Sequence, residues 1–284
     1  MTRIFLSVIL LLLTLTATAQ GVAYSRQDSL RVVELLAMGA KAPADEPLTL
    51  FYARQFVDRP YVGHTLELKG EEQLAVNLGS LDCTTLVENV VALTLTTSHG
   101  SKRWEDFLHW LRMVRYDGGK LNGYSSRNHY FSQWIQSGEK LGLVHEIVPD
   151  NSISLPMKLR LNYMSVHPNS YPLLRVDANE RKLIAAMEKR ISGGTVRYIP
   201  KTKVGESQKV LNCIQDGDIL ALTTNKAGLD VSHVGFAVWG NDGKLHLLNA
   251  SSLHKKVVLE PKTLYNYMQR QSHQTGIRII RLTP

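Results

Sequence analysis

The sequence predicts an α+β protein, and a contrast between its two halves supports this class. In the first half, apolar residues recur mainly at the three-and-four spacing of amphipathic helices. In the second half, most apolar runs are short and bounded by turn residues, as in strands. Neither half contains an internal repeat or a low-complexity tract. Helices followed by strands indicate an α+β arrangement.

Residues 1–19 have the pattern of a secretory signal peptide. Arg3 supplies a positive charge, residues 4–15 form a short apolar core, and residues 17–19 offer a small-residue cleavage site. The core is too short to span a membrane, and no later segment is apolar for long enough. We therefore expect an exported protein, periplasmic or extracellular, without stable membrane insertion. Residues 20–284 are expected to form one domain with a helical N-terminal part.

Two predicted helices precede the most informative segment. The first, 25–38, begins with a capping pattern of Ser25 and Asp28. The second, 48–57, is ended by an Asp-Arg-Pro sequence that places Tyr61 in a loop. Further helices are predicted at 104–115, 130–137 and 181–190.

The predicted strands are short runs that lie between turn signals rich in Gly, Asp and Asn. They cover 147–155, 173–176, 218–223, 231–239, 244–250 and 276–282.

A helix is also predicted to begin at Cys83. Asp82 is a plausible N-cap, and Leu86 and Val90 follow at helical spacing. Cys83 would then lie on the first turn, where unpaired backbone amides and the helix dipole stabilise a thiolate. Such a cysteine is a candidate nucleophile, although cysteine is also commonly a small buried apolar residue.

A base and its orienting group are available in the strand region. His233 lies near the start of one predicted strand and Asn249 near the end of the next. A three-residue connecting loop would place them directly opposite each other, whereas a two-residue turn at Asp242 and Gly243 would put His233 opposite Ser252. The first register is our hypothesis.

Cys83, His233 and Asn249 together satisfy the needs of thiol catalysis. The thiol requires a base within hydrogen-bond reach, and the base requires a group that fixes its tautomer. We expect His233 to take the thiol proton and later to protonate the leaving amine. The Cys83 backbone amide is a natural oxyanion donor, and Tyr61 is a candidate second donor or a wall of the cleft.

The order of these motifs resembles that of the NlpC-type, papain-like cysteine hydrolases of bacterial cell walls. The matching residues are Pro60 and Tyr61, Asp82 and Cys83, Gly217 and Asp218, His233 to Gly235, and Asn249 to Ser251. The resemblance implies a papain-like cysteine hydrolase fold. In that fold the nucleophile helix packs on an antiparallel sheet or half-barrel, with additional helices here.

Two departures from the common pattern bear on specificity. Thr84 and Thr85 replace the usual Ser-Gly, and the stretch between the cysteine helix and the Gly-Asp turn is long. The sequence of residues 127–131 in that stretch resembles the N-acetylmuramoyl-L-alanine amidase-like branch. That branch, by resemblance, cleaves the bond between the lactyl group of the glycan and the first alanine of the stem peptide. The expected substrate-binding residues are Tyr61, Asp82, Arg127, Asn128, His129 and Ser232.

The bulk properties agree with a cell-wall substrate. The formal charge is +8, and loss of Arg3 with the signal leaves +7, which favours anionic polymers. Nucleic acid is not expected as a partner, because export removes the chain from it and the basic residues are scattered. The other cysteine, Cys213, is expected to be a packed side chain, not a partner of Cys83.

Several alternatives remain open from the sequence. The same chemistry could cut the γ-D-glutamyl bond to the diamino acid, and a non-catalytic wall-binding protein could keep the cleft. A zinc amidase is a further possibility, but the sequence has no His-Glu-x-x-His motif. We expect no cofactor or metal, a peptidoglycan or muropeptide substrate, and a monomer.

Overall fold

The computed structural model of the protein describes residues 21–283 and has a mixed α+β fold. The predicted signal peptide therefore lies outside the described residues. The helices are α1 (Arg26–Gly39), α2 (Leu48–Arg54), α3 (Cys83–Ser98), α4 (Trp104–Arg115), α5 (Phe131–Lys140), α6 (Tyr163–Val166), α7 (Pro172–Val176), α8 (Ala178–Ile191) and α9 (Leu264–Gln269). The predicted α+β class is thus confirmed.

An antiparallel sheet of eight strands forms the centre of the second half. Its strands are β3 (Val144–Ile147), β4 (Leu155–Lys158), β5 (Thr195–Pro200), β6 (Ile219–Thr224), β7 (Val231–Trp239), β8 (Leu245–Ser251), β9 (Lys256–Leu259) and β10 (Gln274–Leu282). The strand order is β4-β5-β10-β6-β7-β8-β9, and β3 pairs with the far end of β10. Two short parallel strands, β1 (Val22–Ala23) and β2 (Leu74–Ala75), form a separate ribbon.

Both faces of the central strands are buried. In β6, alternate side chains lie on opposite faces of the sheet and belong to different apolar clusters. Ile219 and Ala221 belong to an apolar cluster shared with the first helices, whereas Leu220 and Leu222 belong to a second cluster with α9. A strand covered on both sides reads as a continuous apolar run instead of an alternating one. This explains the unbroken apolar sequence of β6.

Helix α3 is the element that joins the helical half to the sheet. It packs against α1, α2 and α4 on one side and against β7 and β8 on the other. Every residue from Leu86 to Leu95 is buried, which is why the helix is apolar around most of its circumference. The predicted packing of the cysteine helix on an antiparallel sheet is therefore observed.

The structure corrects two of the predicted strands. Residues 173–176 belong to α7, because Pro172 occupies the first helical turn, where proline is favoured. The predicted strand 147–155 is mostly a loop: residues 148–154 connect β3 to β4 through a turn in which the Asp150 side chain accepts from the Ser152 amide. Sequence analysis also missed β1, β2, β5, β9, α6 and α9.

The remaining predicted helices are present with small shifts at their ends. Ser25 and Asp28 form the expected capping box at the start of α1. Helix α5 begins at Phe131 with Tyr130 as its flanking residue, one residue later than predicted. Within residues 21–283, no helix is both long and apolar enough to cross a membrane.

Candidate active site

Cys83 is the first residue of α3, as the sequence predicts. The Asp82 carboxylate caps the helix, because its Oδ1 accepts from the Thr85 amide at 2.8 Å and from the Thr85 hydroxyl at 2.9 Å. The Asp82 amide in turn donates to the Thr85 hydroxyl at 2.9 Å. The Cys83 amide has no acceptor inside the helix, because first-turn amides lack one. The half-buried thiol therefore lies beside a free donor at the positive end of the helix.

A register shift in β7 positions the side chain of His233 in the site. Leu222 pairs with His233 but Thr223 pairs with Val231, so Ser232 is an extra residue in the strand. Such a β-bulge re-aims the side chains beside it. It leaves Ser232 exposed and His233 partly exposed at the start of the strand.

Neither register weighed from the sequence is the observed one. Phe236 pairs with Leu248 and Trp239 with Leu245, so five residues connect β7 to β8. Continuing that register places Gly235, not His233, opposite Asn249. His233 and Asn249 are diagonal neighbours on one face of the sheet, close enough for their side chains to meet.

The diagonal pair forms the hydrogen bond on which the site depends. The His233 Nε2 lies 2.8 Å from Asn249 Oδ1. Because a carboxamide oxygen only accepts, Nε2 must hold the proton, and Nδ1 is the basic nitrogen of neutral His233. Asn249 is fully buried, and its Nδ2 donates to Glu260 Oε1 at 3.1 Å.

The surroundings of His233 favour its protonated, positively charged form. Burial opposes the imidazolium, but the Cys83 side chain, the hydrogen bond to Asn249 and the Glu260 carboxylate outweigh it and raise the pKa of His233. His233 and Cys83 also line one cavity of about 110 Å³. The structure therefore brings thiol, imidazole and carboxamide together.

Tyr61 lies close to Cys83. Val62 donates its amide to Leu81, which holds the Tyr61 loop against the start of α3. Burial and the nearby Cys83 and Asp82 raise the pKa of Tyr61 to about 12. The phenol is thus a neutral hydrogen-bond donor throughout the ordinary pH range.

Asn128 and His129 line the same cavity as Cys83. Asn128 Nδ2 donates to the Val114 carbonyl at 3.0 Å, but Asn128 Oδ1 is buried without a partner among residues 21–283. His129 Nε2 lies 2.8 Å from the Tyr124 carbonyl, so Nε2 is the donor and Nδ1 is left as an acceptor. Burial, followed by the charge of Arg127, lowers the pKa of His129 to about 3.

Arg127 is not brought to the thiol with its neighbours. Its guanidinium donates to both Glu72 oxygens at 2.7 Å and to Glu67 at 3.0 Å, and it borders a different cavity. A further bond goes to the Leu66 carbonyl. Arg127 thus holds the 66–72 loop through four hydrogen bonds.

The Gly-Asp turn, Gly217 and Asp218, stabilises the fold. Asp218 is buried, accepts from the Gln215 amide at 2.8 Å, and forms a two-point ion pair with Arg281 at 2.7 Å on both oxygens. This joins the turn before β6 to the end of β10. The thiol of Cys213 is also free, and no group of three or more metal-ligating side chains is found between residues 21 and 283.

Two buried carboxylates near the site escaped sequence analysis. Asp230 lines the cavity and accepts from the Ser132 amide at 2.6 Å, so it caps α5 from a distant part of the chain. Glu260 follows β9 and holds Asn249. Neither has a local sequence signature, because both act on residues far from them in the chain.

Comparison with known proteins gives a consistent result. A family model described as AmiA-like, N-acetylmuramoyl-L-alanine amidase-like, matches residues 52–277. A crystal structure from Bacteroides uniformis, described as an N-acetylmuramoyl-L-alanine amidase, is 38% identical with a TM-score of 0.78, covering 87% of this chain and 100% of that one. No curated protein matches the sequence.

Two further solved structures are similar. One from Bacteroides fragilis, described as a putative xylanase, is 40% identical with a TM-score of 0.75, covering 82% of this chain and 99% of that one. A Legionella pneumophila protein is 23% identical with a TM-score of 0.68, covering 91% and 95% of the two chains, and it shows a shared fold alone.

Proposed function

The chain belongs to the AmiA-like family of N-acetylmuramoyl-L-alanine amidase-like proteins, and from this we propose that it is an exported, papain-like peptidoglycan amidase with Cys83 as its nucleophile. The bond cut is the amide between the lactyl group of the glycan and the first alanine of the stem peptide. Export is proposed from the signal pattern of residues 1–19.

The observation that supports this most strongly is the bond between His233 Nε2 and Asn249 Oδ1, at 2.8 Å, beside a helix-start cysteine. That bond leaves the basic Nδ1 of His233 for the thiol, with which His233 shares a cavity. A binding cleft alone has no need of this arrangement.

Acylation follows from these positions. His233 Nδ1 takes the Cys83 proton, and the thiolate forms a C–S bond to the lactyl carbonyl carbon. The resulting oxyanion accepts from the Cys83 amide and from the Tyr61 hydroxyl. The intermediate collapses as protonated His233 gives its proton to the amide nitrogen, and the C–N bond breaks to release the stem peptide as an amine.

Deacylation uses the same groups. His233 takes a proton from water, and the hydroxide equivalent attacks the thioester carbon. The C–S bond breaks, the lactyl carboxylic acid leaves, and the thiol recovers the proton from His233. The Asn249 hydrogen bond keeps one tautomer through both halves of the cycle.

A second cleft supports the assignment of the leaving group. It has a volume of about 240 Å³ and borders Ser232 and His233 on the side that lacks Cys83. Because the leaving nitrogen must take its proton from His233, the amine side of the substrate extends into this cleft.

The lining of that cleft suits an acidic peptide. Lys226 is exposed at its edge, and Gln274 Oε1 is buried without a partner among residues 21–283. An ammonium complements the carboxylates of a stem peptide, and an unpaired carboxamide oxygen accepts a peptide N–H. The Cys83 cavity, with free acceptors on Asn128 and His129, suits the N–H and O–H donors of the sugar.

The name of the Bacteroides fragilis relative suggests glycosidase chemistry. The side chains that this chemistry requires are not found among the described residues that line the Cys83 cavity. Such enzymes need two carboxyl groups on either side of the bond. Of the described residues that line the Cys83 cavity, only Asp230 has a carboxyl group, and it caps α5.

Mass spectrometry of digested muropeptides tests the proposal. Free stem peptides that begin with alanine are expected, together with sugars that end in the lactyl acid. Sugars that retain two residues would instead identify the γ-D-glutamyl endopeptidase. Binding to sacculi without any release of peptide over hours would identify a wall-binding protein. Activity abolished by a chelator and spared by a thiol alkylating reagent would identify zinc chemistry.

A further inference from the structure

The hydrogen bond to His233 requires Asn249 to present its oxygen, not its nitrogen. The two ends of a carboxamide have almost the same shape, so packing alone does not choose between them. A reversed amide would direct two N–H donors at the protonated Nε2 of His233. Some other group must therefore fix the orientation.

Glu260 is placed to do this. It is 3% exposed, and its Oε1 lies 3.1 Å from Asn249 Nδ2. A carboxylate only accepts hydrogen bonds, so it attracts the amide nitrogen and repels the amide oxygen. The oxygen is thereby turned towards His233.

Glu260 is itself held at two further points. Its backbone amide donates to the Leu247 carbonyl at 2.9 Å, which ties it to β8 two residues before Asn249. Its Oε2 lies 3.2 Å from Nε2 of His254, an exposed residue. The carboxylate is thus fixed by main chain on one side and by a side chain on the other.

We propose that Glu260 is a positioning residue that extends the thiol, imidazole and carboxamide series by a fourth member. It orients Asn249, and through Asn249 it holds His233 in the tautomer whose Nδ1 serves Cys83. The inference rests on the proposed cysteine chemistry and not on which amide is cut.

The negative charge of Glu260 has a second effect, which an uncharged hydrogen-bond acceptor at this position would not have. Glu260 is among the groups that raise the pKa of His233. Removal of the charge, with the hydrogen bond kept, should lower the pH up to which the imidazolium persists. Charge and orientation can therefore be tested separately.

Alkylation of Cys83 by iodoacetate, measured against pH, is the test, because the imidazolium attracts this anion and the reaction slows once His233 loses its proton. It reports the thiol and imidazole pair without a wall substrate, so a wrong substrate assignment would not affect it. Glu260→Gln keeps an acceptor for Asn249 and should react within about threefold of the wild-type rate, with its alkaline limit lower by roughly half a pH unit. Glu260→Met removes the acceptor and should slow the reaction roughly tenfold at neutral pH.

A double-mutant cycle identifies the route of the effect. If Glu260 acts through Asn249, Glu260→Met should change the rate by less than about twofold in an Asn249→Ala background. Glu206→Met, at a partly exposed residue of the same type, controls for the substitution itself.

If folded Glu260→Met kept the wild-type alkylation rate and pH limit, the proposal would be overturned. It would also be overturned if Glu260→Met slowed the reaction by the same factor in the Asn249→Ala background as in the wild type. If Glu260→Met does not fold, Glu260→Gln decides, because an unchanged alkaline limit in that variant would equally overturn it.

Discussion

Gly235 and Asn249 face each other across β7 and β8, so closely that a side chain on the glycine would displace the asparagine. A Cβ atom at Gly235 would lie 2.9 Å from Asn249 Cβ and 2.7 Å from the Leu248 carbonyl oxygen. Real Cβ contacts are not that short, so one of the two strands would have to move. Gly235, the glycine of the His-Val-Gly sequence, is therefore required by its close approach to Asn249, the hydrogen-bond partner of His233.

Gly235→Ala should accordingly uncouple Asn249 from His233. We expect a loss of roughly tenfold or more in kcat and a cost of about 1–3 kcal/mol in the free energy of unfolding, as for other overpacked sites. Gly194→Ala is the matched control, because a Cβ atom there would have no neighbour within 4 Å and the backbone is unstrained. Full activity in folded Gly235→Ala would contradict this account.

The two thiols should differ in reactivity. Burial raises the pKa of Cys213, with the nearby Asp218 adding to the effect, so less thiolate forms there at neutral pH. Cys83, at a helix start beside His233, should react first. Peptide mapping after brief iodoacetamide treatment should find the label on Cys83, with activity lost in parallel.

Variants of the same two residues complete that test. Cys83→Ser should lower kcat at least ~10³-fold, as expected for loss of a nucleophile, while Cys213→Ser keeps activity near the wild-type value. Equal labelling of both thiols, or an active Cys83→Ser enzyme, would rule against the assignment.

The local parts of the site could be predicted from sequence because their causes are local. Asp82 caps the helix that it precedes, and the periodicity from Leu86 onwards identifies that helix before any contact is known. His233 and Asn249 could be placed on neighbouring strands because turn residues mark the ends of those strands.

The register of β7 and β8 and the contacts made by Glu260 and Asp230 could not be predicted, because they depend on residues elsewhere in the chain. The connection between β7 and β8 closes through a bond between the Gly240 amide and the Lys244 carbonyl, which shifts the expected pairing. Glu260 and Asp230 act on partners brought near by the fold. Arg127 is predicted to bind substrate, and no sequence pattern indicates that its guanidinium pairs with Glu67 and Glu72 of the 66–72 loop.

His129 should make the fold sensitive to acid. Its pKa is about 3 in the folded protein and about 6.5 when unfolded, so between these values only the unfolded chain binds the proton. The free energy of unfolding should therefore fall as the pH drops below about 6.5, by about 2 kcal/mol from this residue at pH 5.

Urea denaturation at pH 7.5 and pH 5 measures this effect. His129→Gln keeps a donor for the Tyr124 carbonyl and cannot titrate, so its loss of stability between the two values should be smaller by that amount. An identical loss in the variant and the wild type would show that His129 is not held neutral.

Lys226 should distinguish the amine side of the substrate from the acyl side. It borders the cleft that touches His233 and not Cys83, so it can meet only the part of the substrate that leaves as the amine. An exposed ammonium beside a carboxylate contributes little energy, so Lys226→Met should raise KM roughly threefold to tenfold and leave kcat nearly unchanged. The effect should shrink with added salt.

The same variant tests the chemistry of the peptide that binds there. With a muropeptide whose stem carboxylates are amidated, wild type and Lys226→Met should have the same KM, because the charge has lost its partner. Lys244→Met, an exposed lysine in the turn between β7 and β8, should leave KM unchanged on both substrates. If Lys226→Met instead altered KM equally for the acidic and the amidated stems, its ammonium would not contact the stem carboxylates. The amine side of the substrate would then have to leave the site by another path.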